Sequence, residues 1–213
     1  MTSFYGIEDR TLSARGMPWI EEFTAGVVAA KDCVACGTTP QWPARDMLAR
    51  LDPRRGTRWP DLIGTGHLAW LFIGSGRFVE ALQADGMRVE LGGRIRFTEP
   101  LPRRLSLADA PQYYWVDPHR HRAARMDYVA SGFVGVERCA ACGRHRYDIK
   151  ASKADSPSVF HYDASSRLDL FTTDLGRQFY CTERVLECAK VHRLTNLAFW
   201  RVEEGPFGKP VKY

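Results

Sequence analysis

Two stretches of the chain share one order of apolar and polar positions. Each opens on an extended, β-branched run leading into a cysteine-bearing turn, "AGVVAAKDCVACG" at 25–37 and "SGFVGVERCAACG" at 131–143. Each continues to a short apolar run, "LAWLFI" at 68–73 and "RQFYC" at 177–181, of the length expected for a buried strand. A short helix follows. Ser75 and Thr182 stand where N-caps belong, and Phe78, Val79 and Leu82, like Val185, Leu186 and Ala189, fall on one helical face. A further strand closes each pattern, "MRVEL" at 87–91 and "LAFWRVE" at 197–203. These apolar stripes are read as core, and the fold class as α+β.

The correspondence is residue by residue. Gly26/Gly132, Val28/Val134, Cys33/Cys139, Ala35/Ala141, Cys36/Cys142 and Gly37/Gly143 coincide at one offset. "WPDLIGTGHLAWLFIGSGRFVEAL" (59–82) then resembles "RLDLFTTDLGRQFYCTERVLECA" (167–189), matching Asp61-Leu62 with Asp169-Leu170, Phe72 with Phe179, Arg77 with Arg184 and Glu80 with Glu187. Two matches in the same order indicate an internal duplication with a period far above that of a solenoid repeat. The expected organisation is two related lobes, 1–98 and 131–213, each with a CxxCG zinc knuckle, strands and a short helix. Residues 99–130 are a proline-, arginine- and aromatic-rich connection. Prolines 100, 102, 111 and 118 argue against a helix there and for a long ordered link or edge strands. The C-terminal "EEGPFGKPVKY" is read as a surface tail.

Composition narrows the setting. At 213 residues, with 45% hydrophobic and 26% charged positions, the chain can bury a real core, and no run approaches the ~18 apolar residues of a membrane span. "AGVVAA" is too short for a signal-peptide core and follows Glu21 and Glu22, so a cytoplasmic location is expected. There a CxxC pair is a metal or redox element rather than a structural disulfide. The net charge of +5 permits an acidic partner or nucleic acid without demanding either. The densest basic stretch is "DPHRHRAAR" at 117–125.

A thioredoxin-like redox pair opens a helix, whereas "GTTPQWP" after Cys36 and "GRHRY" after Cys142 disfavour one. Two cysteines two residues apart can instead bite one Zn²⁺ from a tight turn, with the following glycine free to take positive φ. Flanking strands "FVGVER" and "RHRYD" would put the turn at a hairpin tip. A structural zinc takes four ligands, and no histidine recurs between the halves. The economical reading is therefore one site, Cys33 and Cys36 from one half with Cys139 and Cys142 from the other. Cys181 and Cys188 are expected to be small buried hydrophobes, and the six histidines to be ordinary. His119 and His121 would hold a second metal only if other ligands converged on them. Asp61 and Asp169 are read as turn or cap residues. A four-thiolate zinc is closed and activates no water, and there is no GxSxG, HExxH or P-loop, so an enzyme is not expected.

The paired "CVACG" and "CAACG" motifs resemble the double-CxxCG motif proteins of myxobacteria. So do "WPDLIGTGHLAWLFIGSGRFVEAL" and "DLFTTDLGRQFYCTERVLECAKVHRLTNLAFWRV". Members include immunity proteins of swarming-inhibitor toxin systems. The resemblance runs from about residue 23 to residue 203 and carries over Cys33, Cys36, Cys139 and Cys142 alone. It implies a stiff scaffold that binds and neutralises a cognate contact-delivered toxin, encoded by an adjacent gene. Tyr113, Tyr114, Trp115, His119, Arg120, His121 and Arg122 of the unmatched middle are the candidate partner contacts, although an aromatic run such as Tyr113–Trp115 is more often core. The competing reading is a zinc-ribbon nucleic-acid-binding protein, but no helix dense in Lys or Arg follows either motif.

Overall fold

A computed structural model describes residues 3–9, 16–29, 33–37, 41–65, 71–148, 150–152, 156–175, 178–204 and 211. Its elements are β1 Phe4–Asp9, β2 Trp19–Ala29, β3 Gln41–Leu51, β4 Leu62–Thr65, β5 Phe72–Ser75, α1 Gly76–Ala84, β6 Leu91–Thr98, β7 Tyr113–Val116 and β8 Arg122–Met126. They continue with β9 Glu137–Arg138, β10 His145–Arg146, β11 Phe160–Tyr162, β12 Leu170–Thr173, β13 Phe179–Thr182, α2 Glu183–Val191 and β14 Leu197–Arg201. The fold is α+β and mostly sheet.

The short apolar runs form strands buried on both faces, which explains why they read as continuous rather than alternating. In the first half, Leu62 and Phe72 point into a core shared with both helices, while their neighbours Ile63 and Ile73 point into a second core with Tyr113, Trp115 and Ile95. In the second half, Leu170 and Phe179 join the shared core, while Phe171 and Tyr180 pack with Phe4 and Phe160 on the far face. The helices contribute Phe78, Val79, Leu82, Val185, Leu186 and Ala189 to the shared core, as their spacing predicts. Burying each larger side chain of this set contributes about 1.5–3 kcal/mol.

Strands β2-β3-β6-β7-β5-β4 close into a barrel, sealed by parallel pairing of β2 with β4 at Trp19↔Gly64 and Ile20↔Thr65. A second sheet stays open in the order β11-β8-β12-β13-β1-β14. Both contain the same local arrangement. A helix links two strands that flank a third, antiparallel strand: β5 and β6 flank β7, and β13 and β14 flank β1. The central strand of each trio comes from elsewhere in the chain. β1, at the start, lies among strands of residues 170–201, and β7 joins strands of residues 72–98. The segment 99–130 thus supplies a central barrel strand as well as a connection.

Several boundaries differ from expectation: β14 stops at Arg201, and β9 and β10 are shorter than the flanking strands predicted around the second turn. The strand predicted at 87–91 pairs only from Leu91 onward. Met87 and Val89 instead run as an unpaired link with their side chains in the shared core, and the Met87 amide closes the end of α1 on Leu82 O at 2.9 Å. Within the expected surface tail, the described residue Val211 donates its amide to Phe199 O at 2.7 Å and packs against the shared core.

Candidate metal centre

The first CxxCG sequence sits between β2 and β3, a hairpin of two 11-residue strands, and the second between the two-residue strands β9 and β10. Neither turn opens a helix, so neither has the setting of a low-pKa redox cysteine. The backbone makes the same closure in both. Gly37 N donates to Cys33 O at 2.7 Å, and Gly143 N to Cys139 O at 2.7 Å. Each closure needs a left-handed residue, and Gly37 and Gly143 take φ of 65° and 71°.

The two turns meet. Cys33 Sγ lies 3.8 Å from Cys139 Sγ, and Cys36 Sγ lies 3.7 Å from Cys142 Sγ, so like positions of the two motifs face each other. All four sulfurs lie within 4.8 Å of one another. These contacts are far longer than the ~2.05 Å of a disulfide, and none of the four cysteines forms one. A tetrahedral ion with metal–sulfur bonds of ~2.3 Å needs sulfur–sulfur edges of about 3.8 Å. The two measured edges match that requirement. Four soft donors fill a tetrahedron, and among the described residues no oxygen or nitrogen ligand joins the group. The cluster can therefore hold a metal ion as a closed site.

Local electrostatics favour thiolate at Cys139. The backbone N–H groups of Cys142 and Ala141 point at the Cys139 sulfur and pull its pKa down. Arg144 N–H draws Cys142 the same way, but desolvation and the thiols of Cys139, Cys36 and Cys33 outweigh it and push Cys142 up to about 11. Four sulfurs this close cannot all ionise without a cation among them, so holding all four as thiolates requires a metal ion. The site lies near the surface: Cys139 is buried, Cys33 and Cys36 are half-buried, and Cys142 and the intervening Val34 are exposed.

Asp61 and Asp169, read as caps, anchor the helix starts. Asp61 accepts from Ser75 Oγ at 3.0 Å and Arg77 Nη1 at 2.8 Å; Asp169 accepts from Thr182 Oγ1 and Arg184 Nη1, both at 2.7 Å. The arginines then cross over. Arg77 Nη2 donates to His192 O at the end of α2, and Arg184 Nη2 to Asp85 O at the end of α1, the latter at 2.7 Å. Arg77 and Arg184 recur in the sequence, but this crossing depends on how the helices pack and has no signature there.

The candidate partner contacts divide. Tyr113, Trp115 and His121 are buried and belong to the interior, which corrects their reading as contacts. β7 is a central strand, so its inward residues are core, and the Tyr113 phenol donates to Pro60 O. His121 Nδ1 pairs with Leu170 O at 2.6 Å and its Nε2 accepts from Glu90 N–H at 2.8 Å. Both ring nitrogens are used, which leaves none for a metal, and burial lowers the histidine's pKa. Tyr114 is half-buried against the shared core, while His119, Arg120 and Arg122 are exposed. Arg120 forms ion pairs with Glu90 at 3.5 Å and Asp117 at 3.6 Å.

Cys181 and Cys188 are buried as expected. A second group of possible metal ligands, Asp85, Cys188 and His192, has no counterpart among the expected sites. Among the described residues, no helix is long and apolar enough to cross a membrane. No protein-family model and no curated protein matches this chain.

Proposed function

We propose that this chain is a cytoplasmic immunity protein that binds and neutralises a cognate toxin stoichiometrically, without chemistry of its own. The observation that carries the reading is the meeting of the two CxxCG turns, Cys33 on Cys139 and Cys36 on Cys142, because those motifs carry the family resemblance. The metal is structural Zn²⁺, which suits four thiolates in a closed tetrahedron. Each turn acts as a zinc knuckle, and the ion clamps two halves derived from one duplicated unit. In support of that duplication, both helices start on an Asp–Ser/Thr–Arg device and follow the middle-strand pattern of β7 and β1. The exposed His119, Arg120 and Arg122 remain as partner contacts.

The test is co-expression with the product of the adjacent gene, together with metal analysis of the purified chain. Toxicity of the neighbour alone, rescue by this chain and a stable co-purified complex holding at least one zinc per chain are expected. A harmless neighbour, with nucleic acid retained on the chain and released steeply by salt, would overturn the reading in favour of a zinc-ribbon nucleic-acid-binding protein.

A further inference from the structure

The second cluster lies where the two helices end. Asp85 and His192 occupy matching positions, each the first residue past its helix, and Cys188 stands one turn before His192 on α2. One ligand atom from each of the three lies within 4.8 Å of the others. The Cys188 thiol is buried and meets the Asp85 carboxylate. His192 Nε2 is a buried atom with no hydrogen-bond partner, and at 3.6 Å from Asp85 Oδ1 it forms an ion pair only when the imidazole is charged. A buried imidazole nitrogen is ordinarily satisfied, and one left over beside a thiol and a carboxylate needs an explanation.

A cation supplies it. Sulfur, nitrogen and oxygen donors from one cysteine, one histidine and one carboxylate are a mixed set suited to Zn²⁺ and its neighbours in the first transition row. The positive groups nearby do not oppose this strongly. Arg77 and Arg184, which cap the same helix ends, are already paired with Asp61 and Asp169. The cluster is also open on one side, since the Asp85 side chain is 41% exposed.

We propose that Asp85, Cys188 and His192 bind a divalent transition-metal ion of the zinc class, with a fourth position open to water or to a donor from outside the chain. Binding converts the Cys188 thiol to thiolate and releases its proton to solvent. The site is separate from the four-cysteine cluster and does not rest on the immunity reading.

Co²⁺ titration of the full-length protein tests it, followed by the visible bands of tetrahedral cobalt and by the thiolate-to-cobalt charge-transfer band. The number of sites is read as the difference between wild type and His192→Ala, so it holds whether or not the four cysteines are filled. Wild type should take up one equivalent more than His192→Ala and than Asp85→Ala. The affinity lost should be at least the ~10–100-fold that removal of an outer-shell partner costs. If His192→Ala does not fold, Asp85→Ala, altered at an exposed carboxylate, decides alone. Equal uptake by wild type and a folded variant, or an extra equivalent lacking the charge-transfer band, overturns the proposal.

Discussion

In the half that closes into a barrel, Asp61 receives four hydrogen bonds, from Ser75, Arg77 and both the amide and hydroxyl of Thr195. In the half that stays open, Asp169 receives side-chain bonds from Thr182 and Arg184. The strand before each helix pairs in the same register, Leu62↔Gly74 in one and Leu170↔Cys181 in the other. The helix ends agree too. Met87 N closes on Leu82 O and Leu194 N on Ala189 O, both at 2.9 Å. What differs is the hairpin that carries the cysteines. Two 11-residue strands let β2 reach β4 and β3 reach β6, so the first sheet closes, whereas β9 and β10 pair over only two residues and join neither sheet. The same local unit thus serves two architectures, and the length of one hairpin selects between them.

The comparison is broken most severely at the sulfurs. If each turn supplies half of one site, Cys33→Ser and Cys139→Ser should behave alike. Each should abolish stoichiometric metal at the cluster and lower stability by about 5 kcal/mol, or ~10–20 °C in melting temperature for a chain of this size. Metal analysis and calorimetry check this, and retention of metal and melting temperature by either variant would sink the one-site arrangement.

The next largest effect separates the two aspartates. Removing a buried carboxylate strands its donors, but Arg77 and Arg184 are half exposed, so solvent moderates the loss. Asp61→Ala should cost about 3–4 kcal/mol and Asp169→Ala about 2 kcal/mol, the difference arising from Thr195. Urea denaturation of the two variants measures it, and equal costs would remove the asymmetry.

A smaller effect is pH-dependent and acts where the halves join. His121 ties Glu90 N–H to Leu170 O, and burial, the main cause, holds its pKa below the ordinary 6.5. The unfolded state then binds the proton first, so the folded state is stabilised above about pH 6.5 and loses that stability as pH falls through the lowered value. Glu8, pushed up to about 7 by burial, binds its proton first in the folded state and adds an opposing slope over the same range, so the comparison of wild type with His121→Phe isolates His121 on the acid side of neutrality. Unfolding free energy should fall more steeply with acid, or rise less, in wild type than in His121→Phe, with His119, lowered chiefly by desolvation, and Glu8 contributing equally to both. An unchanged slope in the variant would show that the titrating group lies elsewhere.

The smallest effect distinguishes the caps. Ser75 Oγ accepts from Phe78 N at 3.1 Å while donating to Asp61, whereas Thr182 makes no side-chain cap bond and only donates to Asp169. Ser75→Ala should cost ~1.5–2 kcal/mol and Thr182→Ala ~1 kcal/mol. The reverse order in thermal melts would mean that the N-cap bond contributes nothing to α1.

Much of this was legible because it is local. Helix starts at Ser75 and Thr182, the apolar faces of α1 and α2, and a hairpin around each CxxCG turn all follow from side chains acting within a few residues. The four-cysteine grouping was legible for a different reason: a ligand set must reach four, and only cysteines recur. The strand start at Leu91 was misplaced because a buried extended link and a buried strand have the same apolar pattern until a partner is alongside. Tyr113, Trp115 and His121 prove to be core, and composition alone could not separate that from a contact role, because an aromatic, basic stretch has the same composition whether it lies inside or outside.

By itself, then, the sequence determined the elements, the turns and the set of sulfurs, since propensity, capping and ligand chemistry act over short range. Only the tertiary structure decided that β1 and β7 enter sheets built mainly from distant residues. The same holds for closure of one sheet, burial of His121 with both nitrogens paired, and the meeting of Asp85 with Cys188 and His192. Those outcomes depend on contacts between residues far apart in the chain, such as His121 on Leu170 and Arg184 on Asp85, where pairing and packing across the whole molecule set the distances and no local pattern records them.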